Sequence, residues 1–111
     1  MGAKNVRRLL MGNTSSVTQS TSKATGVSIS TTSGQITTDN ASLAGGAEVT
    51  FTVTNAEVKA TSVIALSIKS GGTSGSYIAA VGAVADGSFD IVLANVGSTL
   101  EQAVVINFVV L

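Results

Sequence analysis

The sequence predicts an all-β protein: an antiparallel two-sheet β-sandwich of immunoglobulin-like or jelly-roll topology, with an extended N-terminal arm. Composition is the first reason, because 29 of the 111 residues are Ser or Thr, 15 are Val and 12 are Gly, while Pro and Trp are absent. β-Branched residues favour strands, and Gly favours turns. Apolar and polar residues also alternate with a period of two after Ser16, as they do in half-buried strands. About seven or eight such segments follow at sandwich spacing.

Charge divides the chain into an N-terminal arm, residues 1–23, and a β-sandwich domain, residues 24–111. Residues 1–30 carry four basic side chains and no acid, whereas residues 31–111 carry six acids and two lysines, so charges of +4 and −4 cancel. The arm also contains a short apolar run, which a solvated tail would leave unused. We therefore expect the arm to order on a partner protein, although a disordered tail is the alternative. The predicted contact residues are Val6, Arg7, Arg8, Leu9 and Leu10.

The first strands of the body are predicted to be short. Val27 and Ile29 are flanked by Ser, which indicates a half-buried strand. Residues 35–38 form a second candidate, which ends at a turn-like Asp-Asn pair. Residues 41–47 contain one large apolar residue, Leu43, and two consecutive glycines, so we interpret them as a connection.

The middle of the body contains the clearest strand, residues 48–54. Here Val49, Phe51 and Val53 alternate with Glu or Thr, which places the three apolar side chains on one face. Residues 55–61 are a loop or a single helical turn, and residues 62–69 form the next strand.

A hairpin follows a long loop. Residues 70–76 include three glycines and no large side chain, which predicts an exposed loop. Residues 77–84 and 89–94 then form two strands, joined by an Asp-Gly turn at Asp86 and Gly87.

The closing strand, residues 103–111, is apolar on both faces except at Asn107. A strand of this kind must be covered on both sides. It either lies in the middle of a sheet or has its second face covered by a neighbouring subunit. The second alternative predicts a homo-oligomer with Val105, Val109 and Leu111 in its interface.

Catalytic and metal chemistry have few candidate residues. His and Cys are absent, which removes the commonest general base and the strongest zinc ligands. Asp86 and Asp90 are close enough in sequence to act as a carboxylate pair, but Asp86 suits its turn and Asp90 alternates to the solvent face. Asp39, Asn40 and Asn95 lack the spacing of a calcium loop. We predict no enzyme activity, no metal and no cofactor.

Nucleic acid and membrane are not predicted partners. The basic residues of the arm, Lys4, Arg7 and Arg8, have no aromatic neighbours on which bases stack. No stretch approaches 18 continuous apolar residues, which is about the minimum for a membrane-spanning helix.

Three segments carry a resemblance to a known group of proteins. Residues 34–55 (GQITTDNASLAGGAEVTFTVTN), 85–91 (ADGSFDI) and 103–110 (AVVINFVV) resemble a small β-domain found in virion proteins of tailed bacteriophages. The likeness covers about residues 24–111. It rests on a turn, a strand and a closing strand that is apolar on both faces. Some proteins of this type are capsid decoration or cement proteins, and similar domains close longer fibre or tail proteins.

The resemblance implies a bacteriophage virion structural protein. The short basic arm favours a capsid decoration (cement) protein, which would oligomerise on the outer capsid surface and contact the major capsid protein. Decoration subunits of the resembled group commonly lie on local three-fold axes, so a trimer is favoured. The alternative is a tail or head fibre module that binds a host-surface glycan or protein.

Overall fold

The computed structural model describes residues 14–111, which form ten β-strands and, within that range, no helix. The predicted contact residues Val6, Arg7, Arg8, Leu9 and Leu10 lie outside the described residues. The strands are β1 (Thr14–Thr18), β2 (Val27–Ser28), β3 (Ser33–Thr37), β4 (Ser42–Leu43), β5 (Glu48–Thr54), β6 (Ile64–Ser70), β7 (Tyr77–Ala85), β8 (Ser88–Asn95), β9 (Leu100–Glu101) and β10 (Val105–Val110).

The strands form two four-stranded sheets that pack as a sandwich, which confirms the all-β prediction. The first sheet has the order β1-β3-β10-β6, the second has the order β2-β5-β8-β7, and β4 pairs separately with β9. The sheets are mixed rather than wholly antiparallel, because β1 pairs with β3, and β2 with β5, in parallel. The reason is topological: after β1 the chain crosses to the second sheet for β2 and returns for β3, so β3 runs in the same direction as β1.

The core lies between the inner faces of the two sheets. The predicted alternation in β5 is confirmed, since Phe51 and Val53 are buried while Thr50 and Thr52 are exposed. Phe89 of β8 and Phe108 of β10 bring the two sheets into contact, with ring centroids 5.8 Å apart and a tilted geometry. The buried apolar residues are Val27, Ile29, Ile36, Leu43, Phe51, Val53, Val58, Tyr77, Phe89, Ile91, Leu93, Val104, Ile106, Phe108 and Val110.

The closing strand β10 lies in mid-sheet, where it pairs antiparallel with both β3 and β6. Its inward side chains, Ile106, Phe108 and Val110, are buried. Val105 and Val109 face outward and are half-buried. Of the two alternatives for this strand, the position in the middle of a sheet is therefore the observed one. Residues of the same chain cover its inner face.

Residues 14–23, which the charge pattern assigns to the arm, belong to the sandwich. Strand β1 pairs with β3 along its whole length, and the side chains of Gln19 and Lys23 are buried. The body thus begins no later than Thr14. The boundary after residue 23 that the charge pattern predicts is wrong, because the Lys23 ammonium is buried and bonds to backbone carbonyls of the sandwich.

The remaining predicted elements agree with the structure except in two short places. Strands β7 and β8 form the expected hairpin, with Gly87 at a φ of 83° in its turn. The predicted connection at residues 41–47 contains the short strand β4, and the segment between the predicted strands 89–94 and 103–111 contains β9, which pairs with β4. Two residues on each strand are too few to give a periodic signal.

Gly34 is packed so closely that the addition of one methyl group tests the contacts of β3 with β1 and β10. A Cβ at Gly34 would lie 2.8 Å from the Phe108 ring and 2.9 Å from the Ser15 carbonyl oxygen. We expect Gly34→Ala to lower the free energy of unfolding by about 1–3 kcal/mol, as overpacking in cores does. Urea unfolding would measure this change, with Gln35→Ala on the outer face as the control. Equal stability of the two variants would contradict the close approach of β1 and β10 to Gly34.

Candidate interaction surfaces

The sandwich has two ends that differ in character. Ser33 pairs with Thr14 on one side and with Val109 on the other, so the first and last described residues lie at one end, here called the terminal end. The loop of residues 71–76, the β4–β9 pair and Lys23 lie at the opposite end, here called the loop end. Thr14, where the described residues begin, therefore lies at the terminal end.

The terminal end carries the two most exposed large apolar side chains of the described residues. Val63 is 62% exposed and Leu111 is 71% exposed. Their backbones are joined, since the Leu111 amide donates to the Val63 carbonyl over 2.8 Å and the Val63 amide donates back over 3.3 Å. Of the predicted interface residues, Leu111 and Val109 thus lie near each other. Val105 is at the other end of β10, about 13 Å from Val109 at the rise of a strand.

A buried asparagine organises the terminal end. The Asn55 side chain, which follows β5, is fully buried. Its amide donates to the Thr31 carbonyl at 2.8 Å, and its Oδ1 accepts from the Glu57 amide at 2.9 Å. This turn joins the end of β5 to the segment that leads into β3.

Asn95, at the end of β8, repeats this arrangement at the loop end. Its side-chain amide donates to the carbonyls of Leu43 and Ser98, both at 2.8 Å, and its Oδ1 accepts from the Gly97 amide at 3.0 Å. From sequence, Asn95 is a candidate only for a cation ligand. The structure instead uses every polar atom of its side chain in holding the loops together.

Lys23 is the other organising residue of the loop end, and only 4% of it is exposed. Its ammonium donates to the carbonyls of Asp39, Ala41 and Gln102, the last two over 2.7 Å. Gln19 completes the cluster by donating to the Lys23 carbonyl and accepting from the Asp39 amide. Burial lowers the pKa of Lys23, while the carboxylates of Asp39 and Glu101 act in the opposite direction.

A shallow depression of about 510 Å³ also lies at the loop end, lined by residues 68–75 and Tyr77. Gln102 holds its loop in place, since its Oε1 accepts from the Thr73 amide at 2.9 Å and from the Tyr77 hydroxyl at 3.1 Å. Tyr77 is itself buried, and burial raises the pKa of its hydroxyl. Its ring therefore offers little surface on which a sugar could stack.

The two aspartates considered for catalysis have structural partners. Asp86 accepts from the Ala60 amide at 2.8 Å, and Asp90 accepts from the Thr52 hydroxyl at 2.8 Å. Within residues 14–111, no group of three acidic side chains is placed to hold a metal ion. The same residues include no helix that could span a membrane.

Comparisons with protein-family models, with curated proteins and with solved structures find no match to this chain.

Sequence reasoning missed the roles of Lys23, Asn55 and Asn95. The two asparagines did carry a signal, because each follows an alternating strand at a position where the chain turns, and Asn side chains commonly bond to the backbone two residues on. Lys23 carried none, since lysines are rarely fully buried.

We expect Lys23→Met to lower the free energy of unfolding by about 3 kcal/mol or more, because each buried carbonyl left unpaired costs about 1–3 kcal/mol. Methionine retains the length of the side chain and removes only its ammonium group. Lys69→Met, at an exposed position, is the matched control and should change stability by less than about 0.5 kcal/mol. Chemical denaturation of both variants measures the difference. A similar loss in the two would show that the Lys23 cluster does not support the loop end.

Proposed function

We propose that the protein is a virion structural protein of a tailed bacteriophage, most consistent with a capsid decoration (cement) protein and without enzymatic activity. The observation that carries this proposal is the placement of exposed Val63 and Leu111 at the terminal end, where residues 1–13 join the body at Thr14. The apolar surface formed by Val63 and Leu111 thus lies at the same end of the sandwich as Thr14. The resemblance to small β-domains of phage virion proteins supports the same role.

In this proposal the terminal end faces the capsid and the loop end faces outward. Residues 1–13, with Val6, Arg7, Arg8, Leu9 and Leu10, lie across the major capsid protein or a neighbouring subunit on the outer shell. Burial of their apolar side chains would hold the shell against internal DNA pressure without any chemical step. The protein acts as a homo-oligomer, with a trimer favoured, and Val105, Val109 and Leu111 are the interface residues expected from the sequence. Membrane and nucleic acid are not among its proposed partners.

We further infer an immunoglobulin-like rather than a jelly-roll sandwich. The order β2-β5-β8-β7 in the second sheet matches the A-B-E-D order of immunoglobulin-like sheets. Strands β5, β6, β7 and β8 also cross between the sheets in the same sequence as B, C, D and E. The parallel β2–β5 pair is a departure from that pattern.

A fibre or tail module that binds a host glycan or protein is the second candidate. The depression at residues 68–75 favours it, because its loop is exposed and includes three glycines with positive φ. Buried Tyr77 weighs against glycan stacking. Decoration therefore remains the better supported function.

Mutant phage would separate the two functions. Deleting residues 1–12 should release the protein from capsids and lower the temperature at which virions lose DNA, because the arm supplies the shell contact, while host adsorption should not change. Two substitutions in the lining of the depression, here called the loop variants, are Lys69→Ala and Ser74→Arg, both at exposed positions. These should leave heat stability and adsorption unchanged.

The reverse pattern would overturn the decoration proposal. Loss of adsorption in the loop variants, with unaltered capsid heat stability in the deletion, would assign the protein to receptor binding.

A further inference from the structure

The two lateral sides of the sandwich differ in how well they cover the core. On one side the edge strands are β1 and β2, where Val27 and Ile29 are buried. On the other side, here called the open side, the edges are β6 and β7. Tyr77 of β7 is buried, but the other inward side chains there pack against the core and are only half-buried, namely Ile64, Leu66, Ile68, Ala79 and Val84. On the β1–β2 side, Val17 is half-buried in the same way. The mid-sheet counterparts of these side chains, such as Ile91 and Ile106, are fully buried.

Strand β7 leaves this side unprotected. It has nine residues, it pairs only with β8 in the described part of the chain, and it contains no charge and no Pro. Ile78 on its outer face is 54% exposed. Natural edge strands are usually short or guarded by charge, because a long apolar edge associates with other chains. The register of β7 against β8 shifts between Val81 and Val84, and such an irregularity can protect an edge, so the regular apolar edge is residues 77–81. An edge of this kind is suited to contact with another chain.

We propose that the open side is the surface through which copies of this chain associate. The inference rests on the self-association included in the proposed function, and it places that contact on β6 and β7. Between Lys59 and Asp86 the sequence contains one charged residue, Lys69. Several copies can consequently bring these strands together with little electrostatic repulsion, which makes a second copy a better occupant than a strongly charged partner.

The open side is also continuous with part of the interface predicted from sequence. Val109 pairs with Ala65 of β6, and Leu111 bonds to Val63 just before β6 begins. Val109 and Leu111 thus border the open side. Val105 also pairs with β6, at Ser70, but it lies at the far end of β10, away from Leu111.

The symmetry of the assembly follows from the two ends of the sandwich. Copies that all present the terminal end to one shell must be related by an axis roughly parallel to the strands. Such a ring uses two different surfaces of each subunit, as heterologous contacts do. The edges of the two sheets supply them: β6 from the first sheet and β7 from the second. Antiparallel pairing of two β7 strands would instead point the terminal ends in opposite directions.

The test measures the mass of the full chain by light scattering at micromolar concentration. Ala65→Lys on β6 and Ile78→Lys on β7 change exposed positions on the two edges, so neither disturbs the core. Each should convert the oligomer to a monomer while circular dichroism and the melting temperature of the monomer stay native. Val96→Lys is the matched control, because Val96 is equally exposed but lies at the loop end. It should retain the oligomer.

Several results would overturn the inference. They are a monomeric wild-type protein, an oligomer that survives both edge substitutions, or an oligomer that Val105→Lys dissociates while Ile78→Lys does not. A dimer sensitive to Ile78→Lys but not to Ala65→Lys would also overturn it, because this result indicates β7–β7 pairing. Capsid binding of the same variants, assayed separately, reports on the decoration role and distinguishes its failure from failure of this inference.

Discussion

The buried ammonium group of Lys23 is the interaction on which the arrangement of the loop end depends. It joins three segments that are distant in sequence, because its acceptors lie at Asp39, Ala41 and Gln102. Gln102 in turn supports Thr73 and Tyr77, so the glycine-rich loop is held through the same cluster. A sandwich without disulfides or Pro needs such polar contacts, because apolar packing is non-directional and does not by itself fix where loops lie.

Asn55 and Asn95 extend this principle to both ends of the second sheet. They stand at opposite ends of the paired strands β5 and β8, and each satisfies backbone groups that a strand leaving the core would otherwise leave unpaired. The core between them is almost wholly aliphatic and aromatic. Polar specificity is therefore concentrated at the two ends of the molecule, while the lateral sides rely on apolar contacts.

The strands with strong alternation could be predicted from sequence, and the polar clusters could not. Residues 48–54 and 89–94 alternate over several residues, so their inward faces were identified correctly. The two-residue strands β4 and β9 have no period to detect, and the parallel pairs of β1 and β2 depend on a crossover that a single sequence does not reveal. The sequence predicts Lys23 in the basic arm, because its charge is visible in the sequence and the distant backbone carbonyls that accept its hydrogen bonds are not. The interface predicted at Val105, Val109 and Leu111 stays a prediction, and the weakly covered edges of β6 and β7 emerge only once the strands are ordered into sheets.

The position of β10 between β3 and β6 has a consequence for the order in which the chain can fold. Strands β5, β7 and β8 are contiguous in sequence apart from β6, so the second sheet can pair soon after its residues leave the ribosome. The first sheet is completed only by residues 105–110, because β10 pairs with both β3 and β6 and lies between them. The pairing of β10 joins strands that are distant in sequence, and such contacts form slowly. Until β10 has paired, Phe108 cannot cover Phe89, and folding chains that expose such apolar surface are prone to aggregate.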